Sequence, residues 1–310
     1  MSGRFAPSPT GDFHIGNLRT ALLAWAFARH DSRGFVMRME DLDERSRPQF
    51  VSSQLCDLEA IGLTWDGSVL YQHEHLDYYA DVVSDLLRDG ALYECYCTRK
   101  ELSQVASAPH QPPGSYPGTC RYVNEEERVA GREKLAAMNR GPALRLATDV
   151  IELRVEDRQL GPYTGAVDDF VIRRGDGVFS YNFVSVVDDA RTGVDQIVRG
   201  DDLLPSTPRQ VYLQRKLGVS TPQYAHVPLV LNTRGQRLAK RDGAVTLSQL
   251  APFGWTSADV VALLSTSLGY APVRSAQDFL TEFDPQTLPR EPWIVDVDAL
   301  RDGPDKTVRI

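Results

Sequence analysis

The stretch RFAPSPTGDFHIGN, residues 4–17, decides how the chain begins to fold. Together with Gly3, its first residues form a run short enough for a buried strand, and two prolines and a glycine stop that strand from continuing. Beyond the turn, apolar side chains recur at helical spacing from Leu18 to Trp25. This pattern predicts a strand, a turn and a helix, with Asn17 as the helix N-cap.

The predicted helix start is a candidate site for an anionic ligand. Gly16 has no Cβ, so a flat or phosphorylated ligand can approach the backbone there. A helix N-terminus carries unpaired N–H groups and partial positive charge, which suit phosphate, and His14 could donate a hydrogen bond to the same anion. For the tetrapeptide alone, an ordinary βα turn with a surface histidine is the competing explanation.

A second strand is predicted directly after this helix. Residues 35–39 form an apolar run that ends in Glu40. A strand, a helix and a strand make a βαβ unit with parallel strands, whose carboxyl ends are the usual place for ligands. Ser8 and Glu40 would both lie there, and Glu40 could receive an ammonium group. An acidic loop that follows a strand is the alternative.

Composition limits the class of protein. Of the 310 residues, 42% are hydrophobic and 25% are charged, which is typical of an ordinary globular chain. No apolar run approaches a membrane span and no signal peptide is visible, so we expect no membrane association. Four cysteines argue against a disulfide scaffold and predict a cytoplasmic protein. The net charge of −8 means that an RNA ligand would need a local basic face.

Three of the cysteines gather around one loop. Cys95, Cys97 and Cys120 could bind zinc as thiolates together with one further ligand, for which His110 is the conventional choice. Three free thiols are the alternative explanation. Basic residues in and around the following charged segment form a candidate face for RNA phosphates, although a solvated helix face would look the same. They are Arg99, Lys100, Arg121, Arg128, Arg132, Lys134 and Arg140.

Two further patterns occur in the second half of the chain. Residues 170–174 and 178–183 flank a Gly-Asp-Gly turn, which predicts a hairpin, and residues 184–187 continue its apolar run. The loop GQRLAKR, residues 235–241, carries cations that could close on a triphosphate as charge develops at its α-phosphorus. A solvated basic turn is the competing explanation for that loop.

These blocks together resemble class I glutamyl-tRNA synthetases. The likeness covers roughly residues 3–250 and is carried by RFAPSPTG with HIGN, by RMEDLD, by the RGDD block at residues 199–202 and by GQRLAKR. Asn17 replaces the second histidine of the usual first signature, and the basic loop matches the second signature loosely. The resemblance implies an α/β fold: a Rossmann-like class I aminoacyl-tRNA synthetase catalytic domain with a zinc-bearing insertion and a short helical C-terminal tail. The implied segments are the first catalytic half 1–92, the insertion 93–165, the second half 166–250 and the tail 251–310.

The resemblance also implies the roles of individual residues. His14 and Lys240 would be catalytic and would stabilise the developing phosphoryl charge, with Mg²⁺ bridging the phosphates of ATP. L-Glutamate would be bound by Arg4, Phe5, Ala6, Pro7, Ser8, Glu40, Tyr181 and Arg199. ATP would be bound by His14, Gly16, Asn17, Arg237 and Lys240.

Short relatives of these synthetases, the glutamyl-queuosine tRNA(Asp) synthetases, are the more similar group. They share the pattern formed by Cys95, Cys97, Tyr116 and Cys120, which implies one structural Zn²⁺ with the tyrosine as fourth ligand. Leu203 and the 69 residues after the basic loop, too few for an anticodon-binding region, favour the same group. The implied reaction forms glutamyl-adenylate and transfers glutamate to the wobble queuosine of tRNA(Asp), with a monomeric enzyme contacting the anticodon stem-loop.

Two other functions fit the same sequence. One is a compact synthetase that charges a tRNA 3′ end, which requires a 3′-end pocket in the insertion. The other is an inactive zinc- and RNA-binding module, suggested by the degenerate RLAKR loop at residues 237–241.

Overall fold

A computed structural model describes residues 1–98, 100–102, 116–238 and 245–307. The strands in these ranges are β1 Ser2–Phe5, β2 Gly34–Met39, β3 Leu70–Tyr71, β4 Leu92–Cys95, β5 Ala143–Leu146, β6 Glu152–Asp157, β7 Gly161–Ala166, β8 Val171–Arg173, β9 Val194–Gly200, β10 Gln223–Val227, β11 Val230–Asn232 and β12 Trp293–Val295. Their pairing places the amino-terminal strand in the interior of the largest sheet.

The α-helices in the same ranges are α1 Ile15–His30, α2 Pro48–Ala60, α3 Leu76–Arg88, α4 Glu125–Ala136, α5 Tyr181–Arg191, α6 Thr207–Leu217, α7 Leu247–Leu250, α8 Ser257–Ser267, α9 Ala276–Glu282, α10 Val297–Leu300 and α11 Pro304–Thr307. Short 3₁₀ turns cover Gln72–His75, Asp201–Ser206 and Ala251–Phe253. Within the described ranges, no helix combines the length and the apolarity needed to cross a bilayer.

The main sheet has seven strands in the order β3-β2-β1-β9-β10-β6-β7. All neighbours are parallel except β6 and β7, which form an antiparallel hairpin at one edge. The predicted βαβ unit is confirmed, because β1 and β2 pair in parallel with Phe5 opposite Met37. The predicted α/β fold class is therefore correct, and the carboxyl ends of β1, β2 and β9 meet at one edge.

Helix α1 is buried on almost all sides, and side-chain hydrogen bonds hold its first turn. The predicted cap at Asn17 is wrong by one turn, because the N-cap is His14. The Nδ1 atom of His14 accepts from the backbone N–H of Asn17 at 3.2 Å, and the Asn17 side chain accepts from the backbone N–H of His14 at 3.1 Å. This reciprocal pair is a capping box with histidine in place of the usual serine or threonine.

The glycine at position 16 serves the histidine cap. A Cβ at Gly16 would lie 2.9 Å from Nδ1 of His14 and 3.1 Å from the Cβ of Val230. The position that a side chain would take at Gly16 is therefore occupied by the capping ring and by β11. Gly16 is required so that the imidazole can fold back over the helix start.

Two hydrophobic cores cover the two faces of the sheet. One joins α1 to the tail through apolar side chains that include Phe27, Phe279 and Phe283, and the rings of Phe27 and Phe283 meet edge to face. The other joins α3, α5 and α6 to the opposite face and includes Tyr79 and Phe183. The sheet is thus enclosed by helices on both sides, as expected for a parallel sheet.

The predicted hairpin around Gly175 and Gly177 is only half correct. Arg173 and Phe179 form an antiparallel bridge across the turn. The predicted strand does not continue, because Tyr181–Arg191 is helix α5. Its buried residues include Val184 and Val187, which belong to the stretch 184–187 that was predicted to continue the apolar strand. A short apolar run of this kind cannot be assigned to strand or helix from periodicity alone.

Two smaller sheets lie outside the main one. Strands β4, β5 and β8 form an antiparallel sheet, and β11 pairs in parallel with β12 of the tail. Strand β6 and all but the last residue of β7 lie in the segment 93–165, which the sequence assigns to an insertion, yet these strands extend the main sheet. The tail is helical as expected, with β12 added.

Candidate active site

A cleft of about 850 Å³ opens at the carboxyl ends of β1, β2 and β9. The turn between β1 and α1 forms one wall, and α5 with the segment after β9 forms the other. The residues predicted to bind ligand that line this cleft are Arg4, Phe5, Ala6, Pro7, Ser8, His14, Gly16, Asn17, Glu40, Tyr181, Arg199 and Arg237. Lys240 and Arg241 lie outside the described residues. The structure therefore brings the predicted side chains together around one cavity, and the roles assigned to them stay predictions.

At the buried end of the cleft, defined by Arg4, Arg38, Glu40, Asp189 and Arg199, oppositely charged groups are paired. Nη1 of Arg38 donates to Asp189 at 2.6 Å, and its Nη2 donates to Glu40 at 3.2 Å. Nε of Arg4 donates to Asp189 at 3.4 Å. All five side chains are at most 8% exposed, so each charge depends on its partners rather than on water.

The surroundings of Glu40 act on its pKa in opposite directions. Burial raises the pKa of Glu40 above its ordinary value, although the Arg38 and Arg4 guanidinium groups oppose the shift. Burial would also raise the pKa of Asp189, but the charges of Arg38 and Arg4 keep that pKa below its ordinary value. Asp189 is therefore the permanent anion, while Glu40 is the carboxyl group that gains most from a cationic ligand.

Arg199 is held from several sides. Its Nε donates to Nε2 of His226 at 3.1 Å, and its Nη2 donates to Oγ1 of Thr207 at 2.9 Å. Its Nη1 donates to the Tyr181 hydroxyl at 3.3 Å, and Tyr181 is 38% exposed. One edge of the guanidinium is thus fixed within the protein, while the Nη1 side reaches a residue that lines the cleft.

The exposed end of the cleft is formed by His14, Asn17, Asp202 and Arg237. Because Nδ1 of His14 accepts a backbone N–H, the neutral ring carries its proton on Nε2, where it can donate to a ligand. Nη1 of Arg237 donates to Asp202 at 2.5 Å, and the Arg237 side chain is 66% exposed. This end offers a helix N-terminus, an imidazole donor and a cation, which is a suitable set for phosphate.

The turn between the two ends is held by a residue that the sequence did not single out. Nε2 of Gln54 on α2 donates to the carbonyl of Ser8 at 3.2 Å and to that of Gly11 at 2.7 Å. Gln54 is 1% exposed. Since both partners are acceptors, the amide orientation is fixed, and Gln54 clamps the two ends of the turn that lines the cleft.

The cysteine cluster lies at the end of β4, away from the cleft. The three Sγ atoms of Cys95, Cys97 and Cys120 are within 4.8 Å of one another. The Tyr116 hydroxyl lies 3.4 Å from Sγ of Cys95 and 3.8 Å from Sγ of Cys97. His110 lies outside the described residues. Three sulfurs and a phenolic oxygen that surround one point fit a tetrahedral metal site.

The electrostatics of the cluster favour one thiolate, because hydrogen bonds to the other two cysteines raise the pKa of the Cys97 thiol and burial raises the pKa of the Tyr116 hydroxyl. Hydrogen bonds from the Cys120 and Cys97 thiols hold the pKa of the Cys95 thiol far below its ordinary value. The backbone N–H of Tyr96 donates to Sγ of Cys120 at 3.3 Å. A cluster that already stabilises negative sulfur is suited to bind a divalent cation.

Most basic residues of the predicted RNA face are already paired. Arg132 contacts Glu94 at 2.8 Å, and Lys134 contacts Glu101 at 3.0 Å. Arg121 contacts Asp169 at 3.2 Å. Arg99 lies outside the described residues. This pattern favours the solvated, mixed-sign helix face that was the alternative explanation.

Comparison with known proteins decides the family. The family model described as the catalytic domain of class I tRNA synthetases for E and Q matches residues 1–301. The chain belongs to this family. The Rossmann-like class I synthetase fold predicted from the sequence is therefore confirmed.

Within the class I synthetases, the chain is similar to two kinds of protein. It is 55% identical to a glutamyl-Q tRNA(Asp) synthetase of Nocardia farcinica, over 95% of this chain and 93% of that protein. It is 43% identical to the protein of the same name in Symbiobacterium thermophilum, over 94% and 95%. It is 35% identical to a glutamate–tRNA ligase 1 of Caldanaerobacter subterraneus, over 96% of this chain but 63% of that protein.

Among solved structures, a glutamate tRNA ligase of Elizabethkingia meningosepticum in complex with its amino acid has the same fold. The TM-score is 0.79 at 24% identity, over 97% of this chain and 68% of that chain. At that level of identity the likeness concerns the fold of the class I synthetase domain alone.

Sequence reasoning missed several residues of the class I synthetase site. Gln54 lines the cleft, while Arg38, Asp189 and His226 lie behind it, and each of the four is at most 2% exposed. One available signal was a charged residue inside an apolar run, such as Arg38 within β2. A charge that is buried in a strand must have a partner, and that partner is often part of a site.

Proposed function

We propose that this protein activates L-glutamate with ATP, forming glutamyl-adenylate and pyrophosphate, and transfers the glutamyl group to the queuosine base at the wobble position of tRNA(Asp). The observation that supports activation is the cleft itself, in which a charge-paired, buried end adjoins a helix N-terminus. An amino acid and a triphosphate can occupy these two ends side by side, with the reacting groups near the turn.

The buried end suits glutamate. Arg199 can donate from its Nη1 side to a carboxylate, and the Tyr181 hydroxyl beside it adds a second polar contact. Glu40 gains stability when a cation approaches, because its charged form is disfavoured by burial. An amino acid that carries both an ammonium and two carboxylates matches this arrangement. Arg4, Phe5, Ala6, Pro7 and Ser8 would form the remaining wall.

The activation step needs no covalent enzyme nucleophile. A carboxylate oxygen of glutamate attacks the α-phosphorus of ATP, the bond from that phosphorus to the bridging oxygen breaks, and pyrophosphate leaves with the electron pair. His14 donates from Nε2 to the phosphoryl oxygens, and the start of α1 with Gly16 and Asn17 lies beside them. Arg237 and Lys240 would neutralise the charge of the leaving pyrophosphate. Mg²⁺, when bound with ATP, supplies further charge compensation.

The choice of acceptor is supported by the relatives. The proteins that match this chain over more than nine-tenths of both lengths carry the name glutamyl-Q tRNA(Asp) synthetase. The match to glutamate–tRNA ligase 1 leaves more than a third of that protein without a counterpart in this chain. We therefore prefer transfer to queuosine over the charging of a tRNA 3′ end.

Glutamate-dependent exchange between ATP and pyrophosphate tests the activation step. Because both ends of the cleft are formed without RNA, we expect exchange in the absence of tRNA. Exchange that appears only with tRNA(Glu) would favour a compact synthetase. A folded, zinc-loaded protein that shows no exchange with any amino acid would leave only the binding module.

Transfer of labelled glutamate tests the acceptor. We expect label on tRNA(Asp) that contains queuosine, and also on the same tRNA after removal of its 3′-terminal adenosine. The matched control is tRNA(Asp) with unmodified guanosine at the wobble position, which should accept nothing. Label that depends on the 3′ adenosine, and not on queuosine, would overturn the proposed acceptor.

We also propose that one structural Zn²⁺ is bound by Cys95, Cys97, Cys120 and Tyr116. The supporting observation is the Tyr116 hydroxyl, which lies within 3.8 Å of two of the sulfurs. The protein should contain one zinc per chain, and Cys120→Ser should lose it. Tyr116→Phe should release zinc at a lower chelator concentration than Tyr122→Phe, a control at a neighbouring tyrosine that is 87% exposed. If His110→Ala weakens binding and Tyr116→Phe does not, the fourth ligand is His110.

Further parts of the proposal concern partners and organisation. The RNA partner is the anticodon stem-loop of tRNA(Asp). The enzyme is a monomer in the cytoplasm, and its chain is divided into four segments with boundaries at residues 92, 165 and 250. The four free cysteines agree with a reducing compartment. A stem-loop that contains queuosine should compete with whole tRNA(Asp) in a binding assay, and light scattering should give the mass of one chain.

A further inference from the structure

A pair of buried residues behind Arg199 has no part in the proposed chemistry. Asp157 is the last residue of β6, and His226 lies on the neighbouring strand β10. Nδ1 of His226 lies 2.6 Å from a carboxylate oxygen of Asp157, and both side chains are completely buried. Charged and polar groups so far from water persist only where they are fully paired.

The hydrogen bonds of Asp157 determine the state of the histidine. Asp157 also accepts from the backbone N–H groups of Gln159 at 2.9 Å, Leu160 at 3.0 Å and His226 at 3.1 Å. A carboxylate that accepts this many donors is ionised. The histidine must therefore place its proton on Nδ1. Burial and the charge of Arg199 lower the pKa of His226, although the hydrogen bond to Asp157 opposes this shift. The ring is therefore neutral, and its Nε2 is an acceptor.

That acceptor faces Arg199. Nε2 of His226 lies 3.1 Å from Nε of Arg199 and 3.2 Å from Oγ1 of Thr207. The Thr207 oxygen accepts from Nη2 of Arg199 at 2.9 Å, and the single lone pair of Nε2 accepts from Nε of Arg199. The Tyr224 ring stacks on the imidazole with 6.0 Å between centroids. The Nε and Nη2 edge of the guanidinium is thus fixed by a closed set of hydrogen bonds.

We propose that Asp157 and His226 are positioning residues for Arg199: they hold a neutral imidazole with its acceptor nitrogen toward Nε, so that the Nη1 side of the guanidinium is presented to the glutamate carboxylate. This proposal depends on the proposed function only for the statement that the bound carboxylate is that of glutamate. It also means that β6, inside the segment assigned to the zinc-bearing insertion, contributes to the amino-acid site.

The first experiment observes the histidine directly. In protein labelled with ¹⁵N at histidine, the resonances of His226 at pH 7 should show a protonated Nδ1 and an unprotonated Nε2, identified by their loss in His226→Gln. An imidazolium, or the opposite tautomer, would overturn the proposal. This result does not depend on any activity, so it stands apart from the test of the proposed function.

The second experiment separates positioning from a purely structural role. In the exchange assay, Thr207→Val and His226→Ala should raise the KM for glutamate, the latter by roughly tenfold or more, while the KM for ATP changes by less than about twofold. His226→Gln keeps an acceptor near the Nε2 position and should recover part of that loss. A drop in active protein with unchanged KM values, or equal changes in both KM values, would show that the pair only stabilises the fold.

Thr207→Val keeps the shape of the side chain and removes only the hydroxyl, so it tests the proposal even if His226→Ala does not fold. An unchanged glutamate KM in Thr207→Val, and in His226→Ala where that variant folds, would contradict it. Absence of exchange in the unaltered protein would instead count against the proposed function.

Discussion

The two ends of the cleft bind by different physical means. At the buried end, the three arginines are at most 5% exposed and contact buried polar partners. At the exposed end, the Arg237 side chain is 66% exposed and pairs with a single aspartate. Groups that are paired inside the protein keep one geometry and reject a ligand that cannot replace their partners. An exposed cation is adaptable but contributes little energy, so we expect the buried end to provide selectivity and the exposed end to accommodate phosphate.

The largest expected difference between the ends is in stability. Arg38→Met removes the cation that contacts three carboxylates and should lower the free energy of unfolding by about 3–5 kcal/mol. Arg237→Met, the matched change at the exposed end, should leave it nearly unchanged, because that side chain is mostly in water. Chemical denaturation measures both. Equal losses of unfolding free energy in the two variants would show that the two ends do not differ in their contribution to stability.

A smaller effect is expected on recognition. Arg199→Lys keeps the charge but loses the planar fork that contacts His226, Thr207 and Tyr181. The KM for glutamate should rise roughly 10- to 100-fold in the exchange assay, with the KM for ATP little changed. Arg45→Lys, at an exposed cation that also lines the cleft, is the control. A similar rise in the control would mean that the loss does not come from the buried contacts of Arg199, and no rise in Arg199→Lys would mean that charge alone matters.

A still smaller effect is expected at the exposed end. Arg237→Met should raise the KM for ATP by roughly two- to fivefold, because an exposed charge contributes little. The KM for glutamate should stay the same. The rise should also shrink as salt is added, since exposed charges are screened. A large effect that is insensitive to salt would show that Arg237 becomes buried when ATP binds.

The finest test concerns the proton on Glu40. Its pKa is raised by burial, so as the pH falls the ligand-free protein protonates Glu40 before an ordinary glutamate would take up a proton. An ammonium group needs the carboxylate, so glutamate binding should release protons, and affinity should fall as the pH falls through the raised pKa. Calorimetry in buffers of different ionisation enthalpy detects this release.

The control for that titration is an exposed acid near the cleft. Hydrogen bonds from the Arg45 side chain and backbone lower the pKa of Asp43 to about 2, so Asp43→Asn should not change the number of protons released. Glu40→Gln should abolish the release. Binding without any release in the unaltered protein would place the ammonium elsewhere.

The parts of the site that could be read from the sequence are those within continuous stretches. The turn before α1 was predictable because proline and glycine restrict the backbone locally, and Glu40 because it ends an apolar strand. The cysteine cluster needed only the spacing from Cys95 to Cys120. The cap was misassigned because histidine is rarely considered a capping residue, although Nδ1 can accept as a serine oxygen does.

The buried residues behind the cleft could not be predicted from local sequence patterns. Arg38 and Asp189 are 151 positions apart, and Asp157 and His226 are 69 apart. Their contacts depend on the strand order β2-β1-β9-β10-β6, which no local pattern encodes. Helix α5 was read as a strand for a related reason: burial on most sides, which only the tertiary structure reveals, hides the helical period.

The central position of β1 has a consequence for synthesis of the chain. Ser2–Phe5 gains one neighbour from β2 and the other from β9, which begins only at Val194. At about 5–20 residues per second, a ribosome needs on the order of 10–30 s to add the intervening residues. During that time the amino-terminal strand has an unpaired edge, and α1 lacks the tail residues that complete its core. The nascent chain therefore depends on slow, non-local pairing, and its recovery in soluble form should rise when translation is slowed by cooling or when chaperones cover that edge.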